Sequence, residues 1–203
     1  MIYKLYQHYS LYGFANSYIV GNDDLGKAIV VDPGEFTVGM LNHLERNGYY
    51  LSAVLLTHSH SHHIRGLRTL LRIYEAKVYA ASARVLGFPC RVVKDRERFE
   101  AAGFDIEPLS VPGHSPDSMA YNFEGMLFTG DTMHAGLIGK TLSTFNAELL
   151  AERVKIKLLD LPEETVVLPG HGPPSTLGSE KRSNLGLEEG WSGKVHVSYD
   201  FFV

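Results

Sequence analysis

The sequence predicts an α/β fold in which short buried strands end in loops that carry chemistry. Three observations predict it. Short apolar runs at 28–31, 53–56 and 165–168 stop at turn residues or run on toward a histidine. The stretches 36–47, 64–74 and 145–161 place apolar residues at helical spacing. The strand-and-helix theme occurs once in each half of the chain, which suggests two sheets packed face to face with helices outside.

Residues 2–9 alternate roughly as a strand, and 17–20 form a second one before the turn Gly21-Asn22-Asp23-Asp24. The run 28–31 is a buried strand stopped by Asp32-Pro33-Gly34. Over 36–47, Phe36, Met40, Leu41 and Leu44 define a helix, and Gly48 is a natural C-terminal cap. Strand 53–56 follows, and a histidine run leaves its C-terminal end. Residues 64–74 read as one helix with Ile64, Leu67, Leu70, Leu71 and Tyr74 on one face, and 77–80 return as a strand.

In the second half, 104–111 is a strand, and 119–123 with 126–128 make a hairpin across Glu124-Gly125. An amphipathic helix spans 145–161 and stops at Pro162; 165–168 is the next strand. The tail 186–203 starts Gly-rich and then alternates Val195, Val197, Tyr199 and Phe201, an expected edge strand. No linker or low-complexity segment interrupts the chain, so 1–203 reads as a single domain.

Composition narrows the class. Hydrophobic residues at 44% and charged residues at 21% are ordinary for a globular protein. A net charge of -4 provides no basic field for nucleic acid or acidic membranes. Cys90 is the only cysteine, so no internal disulfide forms and a reducing, cytoplasmic compartment is expected. Residues 1–10 lack the apolar core of a secretory signal, and no stretch is long and apolar enough to span a membrane. The expected partner is a small-molecule substrate, with no nucleic acid and no membrane; the oligomeric state stays open.

The chemistry lies in four motifs: Thr57-His58-Ser59-His60-Ser61-His62-His63, Pro112-Gly113-His114-Ser115, Thr129-Gly130-Asp131-Thr132 and Pro169-Gly170-His171-Gly172. They hold six of the ten histidines. Imidazole is the preferred ligand of zinc and other borderline divalent metals. His8, His43 and His196 stand outside the motifs and read as ordinary surface or hydrogen-bonded residues.

The order and flanks of these motifs resemble the metallo-β-lactamase superfamily, whose signature is Thr-His-x-His-x-Asp-His. The resemblance covers roughly 18–184 and implies an αββα four-layer sandwich. It is most similar to the short glyoxalase II-like hydrolases, through Thr129-Gly130-Asp131-Thr132, Gly139-Lys140-Thr141 and the long run 168–180. Those enzymes hydrolyse glutathione thioesters such as S-lactoylglutathione. The helical domain that holds glutathione in the long enzymes is not expected within 203 residues.

His58 and His60 share a face of an extended segment and, with His114, make a three-histidine site. Asp131 bridges, and His63 and His171 hold a second metal beyond it. Two metals about 3.5–4 Å apart share a hydroxide and clamp an oxyanion, which supplies a nucleophile without serine or cysteine. Asp131 is then also the catalytic residue that orients the hydroxide. His134 and Lys140 are candidate substrate contacts, each with a plain reading as a loop histidine and a solvated lysine. The expected cofactor is zinc, one ion firm and a second conditional, with iron or manganese as alternatives.

His62 stands where the signature has Asp, and three readings stay open: a ligand to the second metal, a bystander, or the mark of a lost second site. Two functional alternatives also stay open. One is a mono-iron dioxygenase acting on persulfides, with His58, His114 and Asp131 as the iron set. The other is a non-enzymatic metal-binding descendant.

Overall fold

A computed structural model describes residues 2–188, so the expected strand in the tail lies outside the described residues. Strands β1 (Tyr3–Tyr9), β2 (Asn16–Asn22) and β3 (Lys27–Val31) form an antiparallel meander. Helix α1 (Val38–Arg46) crosses to β4 (Tyr50–Leu55), parallel to β3; the short helices α2 (Ser61–Ile64) and α3 (Leu67–Leu70) cross to β5 (Lys77–Ala80), parallel to β4. After the hairpin β6 (Arg84–Val85) and β7 (Phe88–Pro89), strand β8 (Arg91–Val92) completes a six-stranded sheet in the order β1-β2-β3-β4-β5-β8.

The second sheet takes β9 (Phe99–Ala101), β10 (Phe104–Ser110), β11 (Met119–Phe123) and β12 (Met126–Gly130). The small hairpin β13 (Met133–His134) and β14 (Leu137–Ile138) precedes helix α4 (Thr144–Lys157), then β15 (Val166–Pro169), β16 (Ser175–Thr176) and helix α5 (Leu177–Ser183). The order is β16-β15-β12-β11-β10-β9, with β15 parallel to β12.

Strand alternation explains the layers. In β2, Tyr18 and Val20 face one side and Ile19 the other; in β3, Ile29 and Val31 oppose Val30; in β4, Ala53 and Leu55 oppose Val54. The first set packs against Phe104, Ile106, Tyr121 and Phe128 of the second sheet. The opposite set packs under Met40 and Leu44 of α1, and Leu67 and Leu70 of α3. On the far side, Leu109, Ala120, Leu127 and Val167 meet Leu150 and Val154 of α4 and Leu177 of α5. Three apolar interfaces separate four layers, the expected αββα sandwich. Fully burying one large apolar side chain contributes about 1.5–3 kcal/mol.

Side-chain oxygens start the longer helices. Thr37 Oγ1 accepts from Met40 N–H, and Ser143 Oγ from Asn146 N–H. The expectation of one helix over 64–74 is corrected: the segment folds as α2 and α3, with residues 71–74 beyond regular helix. The Gly66 N–H leaves the helical ladder to donate to the Pro33 carbonyl at 2.8 Å, a bond that fastens the segment to the Asp32 turn. Sequence periodicity does not report such a long-range bond. Among the described residues, no helix is long and apolar enough to cross a membrane.

Candidate metal centre

The four motifs follow β4, β10, β12 and β15, at one edge of the sandwich. Hydrogen bonds stitch the two sheets together there. Met119 N–H donates to the Thr57 carbonyl at 2.8 Å and Asn16 N–H to the Gly170 carbonyl at 2.7 Å. Tyr121 Oη donates to the Leu56 carbonyl at 2.9 Å and Tyr18 Oη to the Pro169 carbonyl at 2.7 Å. Loops from both sheets are thereby fixed to a common frame.

His58, His60 and His114 turn their nitrogens toward one another. His60 Nδ1 lies 3.0 Å from His58 Nε2 and 3.0 Å from His114 Nε2. His62, His63 and His171 surround Asp131 from the other side: their Nε2 atoms lie 3.6, 3.2 and 3.4 Å from its carboxylate oxygens. Asp131 is also 3.8 Å from His58 and 3.6 Å from His114. His62 belongs to two donor groups, one with His58, His60 and Asp131, the other with His63, His171 and Asp131, each within 4.8 Å. Gly170 fits because a Cβ there would stand 2.5 Å from Asp131 Oδ1 and from His63 Cε1.

An outer ring of acceptors sets the tautomers. His63 Nδ1 lies 3.0 Å from Asp32 Oδ2, and Thr57 Oγ1 donates to that same oxygen at 2.5 Å. Thr57 Oγ1 therefore accepts from His58 Nδ1, 3.0 Å away. His114 Nδ1 donates to the Lys140 carbonyl at 2.7 Å and His171 Nδ1 to the Phe14 carbonyl at 3.0 Å. With the Nδ1 protons directed outward, the Nε2 lone pairs point inward, the usual outer arrangement for metal-ligating histidine.

The electrostatics follow from this crowding. Burial pushes the His58 imidazolium down to about 2, with His63 adding to the effect. Burial opposes charge on His63 as well, but Asp131 and Asp32 beside it lift its pKa to about 9. Burial alone would raise the Asp131 carboxyl, yet His171, His62 and His63 hold it well below the usual carboxylate range. Asp131 raises His171 against its burial. In the metal-free protein the carboxylates thus draw a proton to the spot where a cation would sit.

The residues fit a divalent metal. His63 Nε2 and Asp131 Oδ1 are buried, face each other at 3.2 Å and lack hydrogen-bond geometry. Ligands on one tetrahedral ion with bonds of about 2.0–2.1 Å stand roughly 3.3 Å apart, close to the spacings found here. The donors open on a cleft of about 510 Å³, lined by Gly13, Phe14, His60, His62, His114, Asp131, His134, Lys140 and His171.

The seven expected ligand residues, His58, His60, His62, His63, His114, Asp131 and His171, therefore meet at one focus. His134 and Lys140 line the same cleft. The His134 Nδ1 atom is buried and unpartnered, while the Lys140 carbonyl orients His114. His43 stacks on Tyr6 at 4.2 Å, away from the centre. Sequence reasoning missed Asp32 and Thr57. Asp32 is 2% exposed and sits at φ 49 at the end of β3. Its signal was an acidic residue directly after a buried apolar run, where a carboxylate needs partners.

The chain is similar to known proteins in sequence and in fold. A sequence model of the metallo-beta-lactamase superfamily matches residues 12–88. A hydroxyacylglutathione hydrolase of Chromohalobacter salexigens is 33% identical over 163 residues, 78% of this chain and 63% of that protein. The chain thus spans a little under two thirds of that relative. A probable polyketide biosynthesis zinc-dependent hydrolase of Bacillus velezensis is 32% identical over 176 residues, 83% of this chain and 77% of that one. The crystal structure of ETHE1 from Myxococcus xanthus superposes with a TM-score of 0.81 at 27% identity, covering 91% of this chain and 84% of its own.

Proposed function

The chain belongs to the metallo-β-lactamase superfamily, and from that premise we propose that it is a metal-dependent hydrolase of small-molecule thioesters, of the kind represented by S-lactoylglutathione. The observation that carries the reading is the ring of six histidines around Asp131 at the floor of an open cleft. Among the described lining residues there is no serine, threonine or cysteine to serve as nucleophile. Cys90 packs instead in the outer core beside Phe88.

His58, His60 and His114 would hold one ion and His62, His63 and His171 the other, with Asp131 shared; zinc suits so imidazole-rich a set. When bound, the metal lowers the pKa of water toward neutrality and stabilises charge on an acyl oxygen. Asp131, held ionised, accepts a hydrogen bond from the attacking water and aims it. Lys140 attracts an anionic group of the substrate at the rim. Hydrolysis forms a carbon–oxygen bond and breaks the carbon–sulfur bond, giving a carboxylic acid and a thiol. The thiolate can depart unprotonated, since thiol pKa values lie near about 8.5. That suits a cleft in which Asp131, the only carboxyl among the described lining residues, is already ionised.

The test supplies zinc, manganese and iron separately and assays S-lactoylglutathione and simpler thioesters. Turnover with at least one metal, abolished by chelation, is expected. No turnover of any thioester, with oxygen uptake on glutathione persulfide, would overturn the reading in favour of a dioxygenase.

A further inference from the structure

The two halves of the donor ring share one plan. Each takes two histidines from the segment after β4, His58 and His60 from its loop and His62 and His63 from α2, and one from a loop that follows a strand of the second sheet. Each has one buried histidine tied to Asp32, His63 directly and His58 through Thr57. Each has one histidine whose Nδ1 donates to a backbone carbonyl, His114 to Lys140 and His171 to Phe14.

The remaining members are His60 and His62. The backbone sets the place of His62: Gly13, at φ 70, comes so close that a Cβ there would stand 2.4 Å from His62 Cβ. Its Nε2 then reaches to 3.6 Å from the shared carboxylate. Among the histidines grouped with Asp131, it is the one that belongs to both donor groups.

Resting on the reading of this cleft as a metal centre, we propose that His62 makes the second half a three-imidazole twin of the first, and so tunes it to borderline divalent metals against harder ones. A carboxylate at this position would add charge and a hard oxygen, which suit Mn²⁺ as well as Zn²⁺; imidazole suits Zn²⁺ and Co²⁺. Six neutral nitrogens around a single carboxylate also leave two divalent ions with only one negative ligand to share. The hard ion, which depends most on charge, loses most by the exchange.

The experiment titrates metal-free protein with Zn²⁺, Co²⁺ and Mn²⁺ by calorimetry, with elemental analysis and the visible spectrum of the Co²⁺ form. Wild-type protein, His62→Asp and His62→Ala are compared, and circular dichroism checks that each is folded. Wild type is expected to take two Zn²⁺ or two Co²⁺ per chain. For the second site, the ratio of the Mn²⁺ and Zn²⁺ dissociation constants is expected to fall at least tenfold in His62→Asp. His62→Ala is expected to lose the second zinc and keep the first. Two zincs held unchanged by His62→Ala, or an unaltered ratio in His62→Asp, would overturn this proposal alone. A second zinc that appears only in His62→Asp would overturn it as well, since the imidazole would then have abolished the site. A wild-type chain that takes no metal would overturn the metal-centre reading itself, and failure on thioesters with normal stoichiometry touches only the hydrolase assignment.

Discussion

In the first half of the donor ring, His60 stands 3.0 Å from each of its two partners, nitrogen to nitrogen; in the second, His62, His63 and His171 are spaced around Asp131 at 3.2–3.6 Å. The first half closes on itself and only leans on Asp131, at 3.6 and 3.8 Å. The second is assembled by it. The same residue types therefore make two unequal sites, because one set converges directly and the other through a carboxylate. An ion held in the second half would depend more on charge, and so more on Asp131.

The largest expected effect breaks that dependence. Asp131→Asn keeps the shape and removes the charge. Its second metal should be lost while the first is retained, and thioester hydrolysis should fall by about 10³-fold. Metal content and kcat/KM on one sample decide it; equal loss from both halves would erase the distinction between them.

Asp32→Ala should strike both halves at once, since one carboxylate serves His63 and Thr57. A buried charged hydrogen-bond set left without its partner costs about 3–5 kcal/mol, and loss of such an outer ligand weakens metal binding roughly 10–100-fold. Urea unfolding of the metal-free protein and zinc titration measure the two effects.

The halves should also differ in pH response. His63 has a folded-state pKa raised from 6.5 to about 9. Its contribution to the metal-free protein is complete below pH 6.5 and is lost as pH rises through about 9. The loss is roughly 3 kcal/mol. Zinc takes the place of the proton, so the alkaline slope in Tm should vanish in the zinc-loaded form. A slope identical with and without zinc would exclude His63 as a ligand. His58 has the opposite sign: its lowered pKa favours the neutral ring, so its stabilising share is present above 6.5 and is lost as pH falls toward about 2.

The smallest effect is expected from Thr57→Val, which cuts the link from Asp32 to His58 and leaves His63 connected. About 1–2 kcal/mol of stability should go, together with about tenfold in first-site affinity and less in the second. Equal weakening of both sites would show that Asp32 couples them through the backbone instead.

Much of this was legible in the chain. The buried strands could be read from runs such as 28–31 and 53–56, because alternation into two apolar layers demands residues of one kind at every position. The helix read over 36–47 and the hairpin of 119–123 with 126–128 were readable from local patterning, and the structure has them as α1, β11 and β12. The split of 64–74 into α2 and α3 was not, because the Pro33 carbonyl that captures Gly66 N–H is more than thirty positions away. Asp32 looked like a turn residue, since its role appears only when β3 and β4 lie side by side.

The sequence by itself determined the donor inventory: which imidazoles, which carboxylate, and in what order along the chain. Ligand chemistry resides in side-chain type, and type is local. Only the tertiary structure decided which nitrogens meet, which oxygen each outer proton finds, and that His62 reaches the shared carboxylate. Those are distances between residues remote in sequence, fixed by the packing of two sheets and by a Gly13 backbone that leaves the His62 ring its place.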